Sequence, residues 1–135
     1  MSAENNGELS PPLQAIKIAP DKPGQNQREM ILSGEKTLTV RAGSRDHWKG
    51  PVMLGCEIEP WAVMAEIIEI RHCLLHDVTD EEVKADGVNG ELTGLWADLR
   101  KYYPEMTLLS PVTVIRWANV RGKLVNDYRK SKGTG

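Results

Sequence analysis

Ile31-Leu32-Ser33-Gly34-Glu35-Lys36-Thr37-Leu38-Thr39-Val40-Arg41 is the stretch whose reading decides the fold. Its left half ends a short helix. Met30, Ile31 and Leu32 are apolar, and Gly34 stands where a left-handed C-cap belongs. Its right half is a strand pattern, with β-branched residues around Leu38 and polar and apolar positions alternating. The alternation turns Leu38 and Val40 toward a core and Thr37, Thr39 and Arg41 to the opposite face. A helix that stops on glycine thus delivers a lysine, two threonines and an arginine to one place. The plain alternative is a capped surface helix followed by an edge strand with a solvated face.

Outward from this junction the pattern is mixed. Residues 1–12 are polar, end in Pro11-Pro12 and read as a disordered lead-in. Ile16 and Ile18 around Lys17 mark a short strand within 13–19, and Pro20 to Gly24 form a turn cluster before a helix over about 25–33. After a turn-rich loop over 42–50, Val52, Leu54, Cys56 and Ile58 alternate as a strand that Glu59-Pro60 breaks. The β-rich run 62–75 follows, and the two runs read as one antiparallel hairpin. Thr79 and Glu82 have capping-box spacing, which starts a short helix that stops at Gly87. Asn89-Gly90 is a turn. Leu92, Leu95, Trp96, Leu99 and Tyr103 recur at helical spacing over 91–103 and form a core stripe. The last strand, 111–120, is bulky on both faces and reads as central. Residues 122–135 form a basic tail.

The chain has 135 residues, which predicts one domain, here 13–121, with a core of its own. Formal net charge is −2, against a globally basic nucleic-acid binder. The charge is uneven, however. Acidic residues gather over 77–86 and basic ones from Arg116 to Lys132, an asymmetry that can mark a nucleic-acid-facing end. The polar start lacks the apolar stretch of a signal peptide, and no apolar run approaches a membrane span. With two cysteines, Cys56 and Cys73, the expectation is a cytoplasmic protein with reduced thiols.

The Ile-Leu-Ser-Gly-Glu-Lys-Thr-x-Thr-x-Arg run, residues 31–41, resembles the signature of the ASCH domain, a branch of the PUA-like, RNA-associated β-barrels. Weaker similarity extends from about Ala15 to about Val120. The resemblance implies an α+β fold, a small and mostly antiparallel PUA-like β-barrel with helices on its openings. It also implies association with RNA or a modified nucleoside and no cofactor. Nucleic-acid or nucleotide association is the general expectation for such proteins, and some are reported as ribonucleases. The family includes a small bacterial amidohydrolase that removes the acetyl group from N4-acetylcytidine. Its functional lysine and threonine map onto Lys36 and Thr39. Its carboxylate maps onto Asp86, where this chain has the shorter of the two acidic residues.

On that reading Lys36 accepts a proton from the Thr39 hydroxyl, a weak nucleophile that needs a base, while Asp86 holds or protonates the departing amino group. In a regular strand Lys36 and Thr39 point apart, so they converge only if Lys36 lies in the turn after Gly34. The RNA-binding reading instead has Lys36 and Arg41 grip phosphate while Thr37 and Thr39 make ordinary strand hydrogen bonds. Thr37, Arg41, Arg45 and Trp48 are the further ligand-binding candidates. A basic loop with a tryptophan can stack a base, and a half-buried Trp can equally pin such a loop.

Other motifs are weaker. His72-Cys73 with His76 fits no common zinc spacing, and a strand-end histidine pair without metal is the better reading. A Cys73 nucleophile lacks any feature that would lower its pKa. Gly34-Glu35-Lys36-Thr37 shares its glycine and lysine with a phosphate loop, but the helix precedes the glycine rather than following it.

Overall fold

The computed structural model describes residues 14–19, 26–56, 61–87 and 91–121. The expected lead-in, the turn at 20–24, the break at Glu59-Pro60, the Asn89-Gly90 turn and the basic tail lie outside the described residues. Along the chain the elements are strand β1 (Gln14–Ile18), helix α1 (Gln27–Ser33), strands β2 (Leu38–Ala42), β3 (Gly50–Cys56) and β4 (Ala62–Leu74), a 3-10 turn (Leu75–Asp77), helices α2 (Asp80–Ala85) and α3 (Leu92–Arg100), and strand β5 (Pro111–Arg121).

The strands form one sheet in the order β1-β3-β4-β5-β2. β3 and β4 pair antiparallel, as do β4 and β5, and β5 and β2. β1 runs parallel to β3, a mixed feature that the alternation pattern did not reveal. β5 is central, as its two bulky faces predicted. Val112 and Val114 face one core cluster, and Ile115 and Trp117 face the other.

The outer cluster joins Leu38 and Val40 of β2 to Val83 of α2 and to Leu95 and Leu99 of α3, with Leu92, Trp96 and Tyr103 packed against it. This is the stripe expected of 91–103, although the helix itself ends at Arg100. The inner cluster gathers Ile16, Val52, Leu54, Val63, Ile67, Ile115 and Trp117 from four strands and receives Ile31 of α1. Without phenylalanine, Trp117 at 1% exposure supplies much of the inner bulk. Burying a large apolar side chain contributes about 1.5–3 kcal/mol.

The sheet is curled. Five strands about 4.8 Å apart would set the edges of a flat sheet about 19 Å apart, beyond the reach of one side chain. Yet Arg41 Nη2 on edge strand β2 donates to the Lys17 carbonyl on edge strand β1. Two bulges help the curl. β4 carries one extra residue at Ile68 and β5 one at Asn119. Asn119 has φ 55 and donates from Nδ2 to Glu66 at 3.1 Å. The first bulge places both Ile67 and Ile70 inward and leaves Ile68 exposed.

Candidate functional site

The two sheet edges, β1 and β2, approach along a seam, and the predicted site residues of β2 lie there. The junction is built as its sequence suggested. Asn26 caps α1 by accepting from Glu29 N, and Gly34 ends it at φ 86 with its N–H on Ile31 O. The chain then leaves the helix before the strand begins. Lys36 N donates to Met30 O at 2.9 Å, Thr37 N donates to Ala85 O at 2.8 Å, and Trp117 N donates to Thr37 O at 3.0 Å. Lys36 therefore precedes β2 and is freed from strand alternation, the condition set for it to approach Thr39.

The Lys36 side chain is 7% exposed and its ammonium is surrounded by acceptors. Nζ donates to Leu38 O at 3.2 Å, to Asp86 O at 2.7 Å and to Asp86 Oδ1 in an ion pair. Three N–H groups meet three oxygens, which is the pattern of the charged form. The Leu38 carbonyl belongs to the peptide group that carries the Thr39 amide, so the ammonium sits against the backbone of Thr39. Thr39 is itself buried, at 6% exposure, on the inner face, and its hydroxyl makes no side-chain hydrogen bond among the described residues.

Asp86 is the C-cap residue of α2 and its side chain is 10% exposed. It is held from behind. Thr79 and Glu82 form the predicted capping box, with Glu82 N on Thr79 Oγ1 at 3.1 Å and Thr79 N on Glu82 Oε1 at 2.9 Å. Glu82 is buried and also takes a two-pronged contact from Arg71 of β4. Arg116 of β5 reaches Glu81 with both terminal nitrogens, at 2.9 and 3.2 Å. This short helix is thereby clamped to the sheet at two points, and its C-cap residue Asp86 meets Lys36.

Arg41 lies between the Lys36–Asp86 pair and the loop that follows β2. Beyond its contact with Lys17 O, its Nε is buried without a partner. Burial pushes the guanidinium below its ordinary value. The nearby positive charge of Arg45 adds to the shift, while Tyr103 and Asp86 oppose it. Arg45 donates from Nε to Ala42 O at 2.7 Å and from Nη2 to the Tyr103 hydroxyl at 3.2 Å. Trp48 is 38% exposed, and its backbone is fixed by Gln14. Gln14 Nε2 donates to Trp48 O at 2.6 Å, and Trp48 N donates to Gln14 Oε1 at 3.1 Å. Thr37 acts here through its backbone. The structure thus brings Lys36, Asp86 and the Thr39 backbone together, with Arg41 and Arg45 beside one another. Trp48 belongs to a loop pinned to β1.

Sequence reasoning missed Thr113 and its role. This fully buried threonine pairs in register with Arg41 on one side and His72 on the other. Its hydroxyl donates to Gly43 O at 2.7 Å and accepts from Arg45 N at 2.9 Å. With its single hydrogen spent, it accepts from His72 Nδ1 at 3.1 Å. The network therefore assigns His72 as the Nδ1–H tautomer, with Nε2 left as an acceptor. Ser44 Oγ lies 3.4 Å from the same Nδ1. The only signal in the sequence was a lone Thr in a β-branched run, which is ordinary for a strand.

Cys56 and Cys73 form no disulfide among the described residues. Burial raises the Cys73 pKa, helped by Glu82 and Asp77 and opposed by Arg71, away from nucleophilic use. Among the described residues no group of three or more His, Cys, Asp or Glu is placed to hold a metal ion, and no helix is long and apolar enough to cross a membrane.

Comparison with known proteins speaks to the fold. No protein-family model matches the sequence, and no curated protein matches it significantly. Solved structures do. An ASCH domain from Lactobacillus crispatus JV V101 superposes with a TM-score of 0.61 at 14% identity, covering 86% of this chain and 84% of that one. An ASCH protein from Zymomonas mobilis gives 0.58 at 11% identity over 86% and 76% of the two chains. A protein from Enterococcus faecalis V583 gives 0.56 at 11% identity over 90% and 86%. The α+β, PUA-like ASCH architecture implied by residues 31–41 is the architecture of this chain.

Proposed function

We propose that the chain hydrolyses the amide of an N4-acylated cytosine nucleoside bound in the seam, with Lys36, Thr39 and Asp86 as the reacting groups. The observation that carries this reading is the enclosed Lys36–Asp86 contact placed against the backbone of a threonine whose hydroxyl is uncommitted. As an ion pair it is a resting state, because a protonated lysine cannot take the threonine proton. A ligand that fills the seam and displaces water makes separated charge less favourable. The proton then crosses from Nζ to Oδ1. The neutral amine takes the hydroxyl proton of Thr39 as Oγ bonds to the acyl carbon. The protonated carboxyl of Asp86 gives its proton to the departing exocyclic nitrogen as the C–N bond breaks. That half-reaction ends with Lys36 charged and Asp86 ionised, the pair it started from. Water then attacks the acyl-threonine, passing one proton to Asp86 as its oxygen bonds to the acyl carbon. Asp86 hands that proton to Thr39 Oγ as the ester C–O bond breaks, so that the carboxylic acid leaves and the starting pair is restored.

The test is incubation of the purified protein with N4-acetylcytidine, following cytidine release, beside Lys36→Ala and Thr39→Val. Turnover in the parent is expected, with a loss of about 10²-fold or more in each variant. No turnover over a long incubation removes this substrate.

RNA binding is the second reading, favoured by Arg41, Arg45 and the partly exposed Trp48. It cannot use Lys36 as a phosphate clamp, since all three of that ammonium's donors are engaged inside the protein. Affinity that falls steeply with rising salt would support it.

A further inference from the structure

Most described arginines of this fold pair with a carboxylate, and Arg100 lies over the Trp96 ring, 5.3 Å from its centroid. Arg71 pairs with Glu82, Arg116 with Glu69 and Glu81, Arg121 with Glu66, and Arg28 with Glu29. Arg41 and Arg45 form no ion pair among the described residues. Their side-chain partners are neutral, two backbone carbonyls and the Tyr103 hydroxyl. Arg41 Nε, moreover, is buried with nothing to donate to. A guanidinium withdrawn from water is costly unless an anion or a full set of acceptors compensates it, and an orphaned donor adds to that cost. Burial and the nearby charge of Arg45 also weaken the charged form of Arg41, against the opposing pull of Tyr103 and Asp86. This arrangement is incomplete without a negative charge.

We infer that Arg41 and Arg45 form a phosphate subsite at the mouth of the seam, so that a phosphorylated nucleoside is bound in preference to a free one. The planar forks of two arginines match phosphate oxygens. The Thr113 hub holds the subsite in shape. It anchors Arg45 through that residue's backbone N–H and lies opposite Arg41 in the strand register. It also orients the His72 ring through Nδ1. The inference rests on the nucleoside reading above for the identity of the ligand, but the phosphate subsite can be tested without any chemistry. The phosphate can come from a mononucleotide or from within an RNA strand, and the two sources are separable.

The experiment is calorimetric titration of the full chain with inorganic phosphate, cytidine, cytidine 5′-monophosphate and a short cytidine-rich RNA. Arg41→Gln and Arg45→Gln are titrated in parallel, with thermal unfolding as the control for folding. Removing a charged hydrogen bond to phosphate is expected to weaken binding about tenfold or more. Cytidine 5′-monophosphate that binds at least tenfold tighter than cytidine, with the advantage lost in either variant, supports the subsite and a mononucleotide. The same loss seen for RNA alone supports the subsite and a strand phosphate. Inorganic phosphate that binds through Arg41 while no nucleoside binds supports the subsite and removes the nucleoside reading. Should Arg41→Gln fail to fold, Arg45→Gln decides, since its side chain lies outside the strands. Equal affinity for cytidine and its monophosphate, with phosphate binding indifferent to both variants, overturns the inference. That outcome leaves amide hydrolysis standing.

Discussion

Replacing Lys36 by methionine tests the enclosed pair directly. The substitution keeps most of the side chain's volume and removes three donors at once, from Leu38 O, Asp86 O and Asp86 Oδ1. The Asp86 carboxylate, 10% exposed, is then left without its cation. Removing one partner of a buried pair costs about 3–5 kcal/mol, most of it from the stranded charge. With a urea m-value of about 1–3 kcal/mol/M, the midpoint falls by about 1 M or more at unchanged m. Asp86→Asn keeps a carbonyl acceptor for the ammonium and is expected to cost less, about 1.5–3 kcal/mol. The decisive variant is the double replacement, Lys36→Met with Asp86→Leu. It strands no charge and is expected to recover most of the loss, because apolar replacement of a buried pair is often neutral or stabilising. Urea unfolding of the parent, Lys36→Met, Asp86→Leu and the double variant closes the cycle and measures the coupling. A loss below about 1 kcal/mol in Lys36→Met, or simple additivity in the double variant, would refute the enclosed-pair reasoning. A double variant as stable as the parent but inactive would assign the pair to function and not to stability.

The two helix-ending glycines separate backbone from packing effects. A Cβ at Gly34 (φ 86) meets nothing within 4 Å, whereas one at Gly87 (φ 85) lies 2.5 Å from Met30 Cε. Gly34→Ala is expected to cost about 1–2 kcal/mol from the left-handed backbone alone. Gly87→Ala should cost little more than that, because Met30 Cε is the end of a flexible side chain that can turn aside, as urea midpoints will report. The Arg116 hydrogen bond holds the Glu81 carboxyl below the usual carboxylate range. A depressed folded-state pKa stabilises above the unfolded value of about 4.3 and ceases to do so as pH falls through the folded value. The stability difference between the parent and Arg116→Met is therefore expected to be full at pH 6–7, to shrink below about pH 4, and to shrink in high salt because the pair is largely exposed. Cys73, its pKa raised by burial, should alkylate slowly at neutral pH in the native protein, with a rate that climbs only in more alkaline solution. Rapid labelling at pH 7 would contradict this.

What was legible in the sequence was legible for local reasons. Gly34 ends α1 in the left-handed conformation because that residue type tolerates it. Thr79 and Glu82 cap α2 because their spacing lets each satisfy the other's backbone donor. The Leu92-to-Tyr103 stripe and the two-faced β5 follow from side-chain period alone. What escaped depends on pairing between distant segments. The parallel register of β1 with β3 is set by the chain's path and leaves no local pattern. The bulges at Ile68 and Asn119 break the period-two alternation on which the strand reading relied. Lys36 and Asp86 came from the resemblance to ASCH proteins, and only the structure puts their side chains in contact. The Thr113 hub was invisible, since its importance lies in three partners 41 to 70 residues away, not in its neighbours.

The place of the site follows from topology. A curled sheet with two edges leaves a row of backbone carbonyls unpaired along each, and an open edge invites pairing with other chains. Along this seam two cations answer that need. Lys36 donates to Leu38 O on β2, and Arg41 crosses from β2 to Lys17 O on β1. An apolar cover would close the seam equally well, and a carboxylate beside Arg41 would neutralise it. Among the described residues no carboxylate pairs with Arg41, although the Asp86 charge reaches it, and its side chain stays half-buried with an orphaned donor. Edge protection alone therefore accounts for the carbonyl contacts but not for the uncompensated charge, which is what an anionic ligand would complete. If edge protection were the whole role of Arg41, glutamine, which also donates to a carbonyl, would serve nearly as well. Arg41→Gln would then fold, keep the parent's state of association and bind every ligand as the parent does.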